Sequence, residues 1–185
     1  MARTTPAGQR RAQLLDAAEA LLLRAGVEAL TVDDVTAAAG VAKGTFYLHF
    51  SSKDDLIGSL RDRYAERFAA RQLLAAGLAA GAERIERWLL AGITEYLSDL
   101  RLHEVLFHSS ARPRRPGPNA AVEAIVTLLK EAGAAVPDPE ATALVLYHVM
   151  HGAAEHIHHC PGDRDRLTAE TARLCRILLV SQNRS

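Results

Sequence analysis

Apolar residues recur along this chain at intervals of three and four, the spacing of a helix face, and nowhere settle into the alternation of a strand. Leu14, Ala18, Leu21, Leu22 and Ala25 form a stripe that predicts a first helix from about Gln9 to Arg24, with Gly26 placed to end it. A short second helix is predicted from Val32 to Ala39. Thr31 stands at its N-cap, and Asp34, three residues on, completes a capping-box spacing and sets negative charge at the helix N-terminus. Gly40 then supplies a turn. The third helix covers about Lys43 to Phe50, where Phe46 and Phe50, four residues apart, share a face directed at Val35, Ala38 and Val41. Ser52, with Asp55 as reciprocal partner, caps a fourth helix running through Leu56, Leu60, Tyr64 and Phe68 toward Ala79.

Five more helices are expected, at about 82–100, 101–110, 119–133, 138–159 and 163–182. Pro113, Pro116, Gly117 and Pro118 interrupt one junction, Pro137 and Pro139 another, and Cys160-Pro161-Gly162-Asp163 turns the chain between the last two helices. The fold class is therefore all-α, with about nine helices. The expected division is a three-helix domain over residues 1–52, followed by a larger helical domain over 53–185. No internal repeat is visible.

With 49% apolar residues the chain has ample material for a packed core. Its 22 Lys and Arg balance 22 Asp and Glu, so overall charge gives no argument for a nucleic-acid partner, and any such claim has to come from local residues. The start leads into a charged stretch rather than a hydrophobic signal region, and no run approaches the length of a membrane span, so a cytoplasmic location is expected. Cys160 and Cys175 make no disulfide framework and no C-x-x-C motif, and reduced thiols are expected.

The local argument lies in residues 31–50, where two short helices joined by a glycine turn have the layout of a helix-turn-helix, the unit whose second helix enters the major groove. Lys43, Thr45, Tyr47, Leu48 and His49 fall on the side away from Phe46 and Phe50. Lys43 suits a base acceptor or a phosphate, Thr45 and Tyr47 suit phosphate oxygens, and Leu48 suits a thymine methyl. Gly44 permits close approach of the backbone to DNA, and Thr31 and Lys53 stand at helix N-termini that favour phosphate. Arg3, Arg10 and Arg11 form a basic N-terminal arm, read equally as a minor-groove contact or as a solvated end. The stretch from Leu30 to Leu56, LTVDDVTAAAGVAKGTFYLHFSSKDDL, resembles the DNA-binding signature of TetR-family regulators at Thr31, Ala39-Gly40-Val41, Gly44-Thr45-Phe46-Tyr47, His49-Phe50, Ser52-Lys53 and Leu56. The resemblance implies that these positions make phosphate or base contacts. It also implies a homodimer, a palindromic double-stranded DNA operator and a small-molecule effector. One departure is Ala42, which stands where that family usually has a capping serine, at a cost of roughly 1 kcal/mol. Another is the pair Asp33 and Asp34, which puts negative charge near the phosphate path.

In the expected regulatory half, apolar runs in the last two helices, including Leu144, Val145, Val149, Leu174, Ile177 and Leu178, suit a helix-packed dimer interface. Trp88, Ile93, Tyr96, Leu106, Phe107 and Tyr147 are candidates to line an effector pocket, with ordinary core packing as the competing reading. The region also carries His148, His151, Glu155, His156, His158, His159 and Cys160 near the end of one helix, with His103 and His108 as further donors. Of these, His148, His151, Glu155 and His159 share helical spacing and would be the metal ligands of an alternative reading, a metal-binding or metal-responsive protein. The same histidines also suit the C-terminal end of a helix dipole. No nucleophile-base motif or phosphate-cradling glycine loop is visible, so neither catalysis nor a cofactor is expected.

Overall fold

In a computed structural model of the chain, residues 7–107 and 119–180 are described. Among them are nine α-helices and one short 3-10 turn: α1 (Ala7–Ala29), α2 (Val32–Ala39), α3 (Lys43–Tyr47), α4 (Lys53–Ala76), α5 (Gly81–Ser98), α6 (Leu100–Phe107), α7 (Ala120–Glu131), α8 (Pro139–His159), the 3-10 turn Pro161–Asp163, and α9 (Arg164–Val180). The all-α expectation holds. Arg3, His108 and the Pro113–Pro118 junction lie outside the described residues. None of the described helices is long and apolar enough to cross a membrane.

The described residues form two compact units, 7–64 with 100–107 and 65–99 with 119–180. The expected boundary at 52/53 thus differs from the observed grouping. The first turns of α4 carry Leu56, Ile57, Leu60 and Tyr64, all buried, and α6 packs beside α1. Sequence separation hides that pairing, because α6 comes back to the first unit only after α5.

In the first unit, α1 supplies Leu14, Leu15, Ala18 and Leu22 to the core. Gly26 ends the regular run of α1 as expected: it takes φ 78° and ψ 174°, outside helical geometry, and a separate short turn carries the chain on to Ala29, burying Val27 and then Leu30. Polar ties fasten α4 to its neighbours: Arg63 reaches Asp16 and Glu19 on α1 at 2.6 Å each, and Arg61 Nε donates to the Leu106 carbonyl at 2.7 Å.

In the second unit, α5 presents Ile85, Trp88, Leu89, Ile93 and Tyr96 to α7, α8 and α9. Gly92 is required by close approach, since a Cβ there would collide with Met150 Sδ of α8 and Gln72 Nε2 of α4. Asn119 and Asp138 cap α7 and α8, each accepting two backbone N–H bonds.

The first unit's most exacting feature is the brevity of α3. An isolated five-residue helix has no stability of its own, so its aromatic anchor must supply it. Phe46→Ala is expected to cost about 3–5 kcal/mol of stability and to remove the α3 conformation, checked by urea denaturation and by amide exchange over residues 43–50.

Candidate nucleic-acid interface

The corner between α2 and α3 is built by caps and one glycine. The Thr31 hydroxyl accepts from Asp34 N–H at 3.1 Å and donates to the Asp34 carboxylate at 2.6 Å. The Asp34 side chain therefore takes the cap's hydroxyl. Thr36 Oγ1 donates to the Asp33 carbonyl within α2. At the other end, Gly40 adopts φ 65°, ψ 35°, a left-handed conformation that side chains resist. With it come Gly40 N–H to Ala37 O at 3.2 Å and Val41 N–H to Thr36 O at 3.0 Å, the paired bonds of a Schellman ending. Ala42 then begins α3 with no side-chain cap, as its residue type dictates.

α3 ends at Tyr47, shorter than the expected 43–50, because His49 N–H and Phe50 N–H both return to the Phe46 carbonyl at 2.9 Å and close the chain into a turn. Phe46 and Phe50 are fully buried, their rings 5.5 Å apart. Of the three residues expected to meet them, Val35 is buried, Val41 is half-buried and Ala38 is exposed. Thr36, a polar residue that satisfies its hydroxyl within its own helix, is buried instead.

What this brace leaves outside is the candidate reading face. Leu48 is 82% exposed and Tyr47 53% exposed, a leucine and a tyrosine carried in water beside a buried phenylalanine. Lys43 and Gly44 are exposed with them, while Thr45 and His49 are half-buried. A Cβ built on Gly44 would meet nothing within 4 Å, so the chain's own packing gives no reason for glycine there. Thr31 is exposed and Lys53 half-buried at the N-terminal ends of α2 and α4. The second cap resembles the first with a shift of partner: Ser52 Oγ accepts from Asp55 N–H at 3.1 Å, but the Asp55 carboxylate turns to Ser51, accepting its N–H at 2.8 Å and its hydroxyl at 3.0 Å.

Sequence reading missed two charge contacts here. Lys43 Nζ pairs with Asp33 at 2.7 Å, and the Asp33 carboxylate holds the ammonium above its ordinary pKa. Neither residue's position hinted at the pair, since the Gly40 turn folds the intervening residues back. Arg11 belongs to no free arm. Its guanidinium donates to Ser59 Oγ at 2.9 Å and lies 5.2 Å from the Phe50 ring centroid, bracing the back of the same aromatic pair.

The candidate pocket residues separate. Leu106 and Phe107 belong to the first unit, where Phe107 stacks near Tyr64 and His103, whereas Trp88, Ile93, Tyr96 and Tyr147 belong to the second. Burial raises the Tyr147 pKa. Gln72 was not singled out from sequence, yet it is wholly buried with its amide N–H donating to the Trp88 carbonyl at 3.2 Å. Gln72 Oε1 and Trp88 Nε1 are buried polar atoms without a hydrogen-bond partner among the described residues.

The donor set of the alternative, metal-binding reading is not assembled. His148 and His159 lie eleven residues apart on α8, roughly 16 Å along the axis, too far to share one ion with the residues between them. His151 packs edge-on to Tyr96 and Tyr147, and His159 Nδ1 meets the Glu155 carbonyl at 2.9 Å. Both cysteines are free thiols, Cys160 exposed and Cys175 buried, and burial pushes the Cys175 pKa up to about 12.

A capped short helix, a left-handed glycine turn and a second short helix whose outer face is held free define a helix-turn-helix of the DNA-reading kind. Residues 14–60 match the bacterial regulatory proteins of the tetR family. Through this segment the chain is similar to TetR-family regulators. It is similar to the HTH-type transcriptional repressor KstR2 of Rhodococcus jostii, 36% identical over 89 residues, which are 42% of this chain and 44% of that protein. It is also similar to the HTH-type transcriptional regulator TtgR of Pseudomonas putida, 38% identical over 60 residues, 32% of this chain and 29% of that one. The chain thus spans less than half the length of these curated relatives. Whole-chain likeness is one of fold. A TetR-family regulator from Streptomyces coelicolor superposes with TM-score 0.70 at 22% identity, covering 95% of this chain and 98% of that one. FadR from Bacillus subtilis, solved in complex with stearoyl-CoA, superposes with TM-score 0.64 at 20% identity, covering 91% and 97%.

The geometry around Lys43 can be tested from both sides. Asp33→Asn removes the carboxylate that holds the ammonium, so DNA binding is expected to tighten severalfold and the slope of log K against log salt to steepen by about one charge. Fluorescence anisotropy titrations at stepped salt measure both. Gly44→Ala fills a space the fold leaves open, so stability is expected to hold or rise by up to about 1 kcal/mol, while DNA affinity falls at least tenfold. Thermal melts and the same titrations separate the two effects.

Proposed function

We propose that this protein is a one-component transcriptional repressor that acts in the cytoplasm as a homodimer on a palindromic operator and is released by a small-molecule effector. One observation carries the DNA-reading part: Tyr47 and Leu48 stand in solvent over a fully buried Phe46 and Phe50, beside the exposed Lys43 and Gly44. Exposing large apolar side chains on a short helix, next to a cation and a bare backbone, serves contact with base edges and phosphates. Thr31 and Lys53 add phosphate contacts from the N-terminal ends of their helices, Thr45 and His49 from the flanks of α3.

A single short reading helix makes few contacts, and two half-sites one helical turn apart, about 34–36 Å, require a two-fold partner. α8 and α9 offer the surface for it. Leu144, Val145, Ile177 and Leu178 are each more than 40% exposed, and a shallow, mainly apolar depression of about 280 Å³ lies among Val149, Gly152, Ala153, Leu167 and Leu174, with His156, Glu170 and Thr171 also lining it. Small residues on α8 and larger ones on α9 suit interlocking with a second copy.

The effector reading rests on the second unit. Trp88, Ile93, Tyr96 and Tyr147 supply apolar walls, and Gln72 Oε1 with Trp88 Nε1 supplies an acceptor and a donor left unbonded among the described residues. The stearoyl-CoA complex of the similarly folded FadR supports a ligand class with a long apolar acyl chain and a polar head. Release then follows if the effector binds the DNA-incompetent arrangement more tightly.

In vitro selection of genomic fragments, followed by band shifts on those recovered, tests the whole. Salt-sensitive, sequence-selective binding to an inverted repeat is expected, and failure to enrich any fragment at low salt defeats the proposal. Val145→Glu combined with Ile177→Glu is expected to give monomers by analytical ultracentrifugation and to weaken operator binding at least about a hundredfold. Dimers unchanged by both charges would place the interface elsewhere.

A further inference from the structure

The end of α8 brings together three donors that the helix register alone does not join. His156 lies in the last turn of α8, Cys160 follows the helix, and Asp163 closes the 3-10 turn before α9. Their ligating atoms all lie within 4.8 Å of one another, and among the described residues no other set of three does so. His156 Nε2 meets Asp163 Oδ2 at 2.8 Å.

The backbone holds this triangle in place. Cys160 N–H donates to the His156 carbonyl at 2.8 Å and Asp163 N–H to the Cys160 carbonyl at 3.0 Å, so each donor residue is hydrogen-bonded to the one before it. Pro161 restricts the turn between them. The second carboxylate oxygen of Asp163 is held by Arg166 at 3.0 Å, which fixes the plane of the carboxylate and leaves Oδ2 directed at His156.

We propose that His156, Cys160 and Asp163 form a binding site for a zinc-like divalent cation at the corner between α8 and α9. One imidazole, one thiolate and one carboxylate are a borderline-soft set that suits zinc, cobalt or nickel and disfavours the hard cations calcium and magnesium. In a tetrahedral zinc site such donors stand roughly 3.3–3.6 Å apart. The His156–Asp163 pair opens slightly to that spacing, and the Cys160 side chain, which is exposed, closes to it by rotation. On binding, the thiol releases its proton to solvent, and thiolate plus carboxylate neutralise the dication. A water completes the fourth position. The bound ion pins the last turn of α8 to the start of α9, the two helices whose exposed faces carry the proposed dimer surface. The site itself does not rest on the DNA-binding reading, and a band shift can succeed whether or not it binds metal.

The full chain, stripped of metal and kept reduced, is titrated with cobalt(II) alone. A thiolate-to-cobalt charge-transfer band saturating at one ion per chain, bleached by zinc, is expected. Cys160→Ser is expected to abolish the band, and His156→Gln and Asp163→Asn to weaken binding about tenfold or more. His148→Ala and His159→Ala leave it unchanged. Circular dichroism confirms that each variant is folded, and all five positions are exposed or half-buried. Absence of the band, or cobalt binding that survives Cys160→Ser, overturns the site and reduces His156–Asp163 to an ion pair only. Equal loss on His148→Ala overturns it in favour of scattered histidine binding.

Discussion

The burial of Phe46 against Phe50 is the constraint on which the rest of the reading unit depends. α3 has five residues and no side-chain cap, and its ends are closed by turn bonds from Thr45 N–H to the Ala42 carbonyl and from His49 and Phe50 N–H to the Phe46 carbonyl. Nothing in its own backbone would keep it helical in water. Two fully buried rings, with Arg11 lying over the second, hold it against the first unit. Because those rings point inward, Tyr47 and Leu48 must point outward, and the exposed face is a geometric consequence of the anchor. Leu74 in α4 is as exposed as Leu48, so what distinguishes Leu48 is its place beside the exposed Tyr47, Lys43 and Gly44.

Electrostatics at this face work by local pairing in a chain whose total charge is zero. Asp33 occupies Lys43 while the face is unoccupied, and Asp34 occupies the Thr31 hydroxyl. Both carboxylates lie in the first turn of α2, where the helix dipole favours them. They strengthen the helix and at the same time moderate its attraction for a polyanion. Under the proposed function a phosphate would have to displace or share these contacts, so binding would rely on fit to the groove as well as on charge, which favours discrimination between sites over indiscriminate adhesion.

The extent to which the chain could be read in advance followed the range of the interactions involved. α2 appears with the boundaries that Thr31, Asp34 and Gly40 announce, because caps and left-handed glycines act within a few residues. The aromatic anchor was equally legible, being an i, i+4 pair. Contacts that need the chain to fold back were not. Ala38 falls outside the core and Thr36 inside it, the Asp33–Lys43 pair spans the turn, and α6 packs against α1 across more than seventy residues. The histidine-rich end of α8 shows the same limit. Its helical spacing suggested a set spread over three turns, whereas the turn after the helix gathers His156, Cys160 and Asp163. Gln72 gave no signal at all, since a buried glutamine in an amphipathic helix looks like any surface one until its neighbours are known.

The most direct measurement of the central claim is site-specific photo-crosslinking to selected operator DNA. A photoreactive side chain is placed at position 48 and, as control, at position 74 in α4, where Leu74 is also 82% exposed. Crosslinks to bases from position 48 and none from position 74 are the result this account predicts. Operator binding retained with no crosslink from position 48, or with equal crosslinking from both positions, would contradict it.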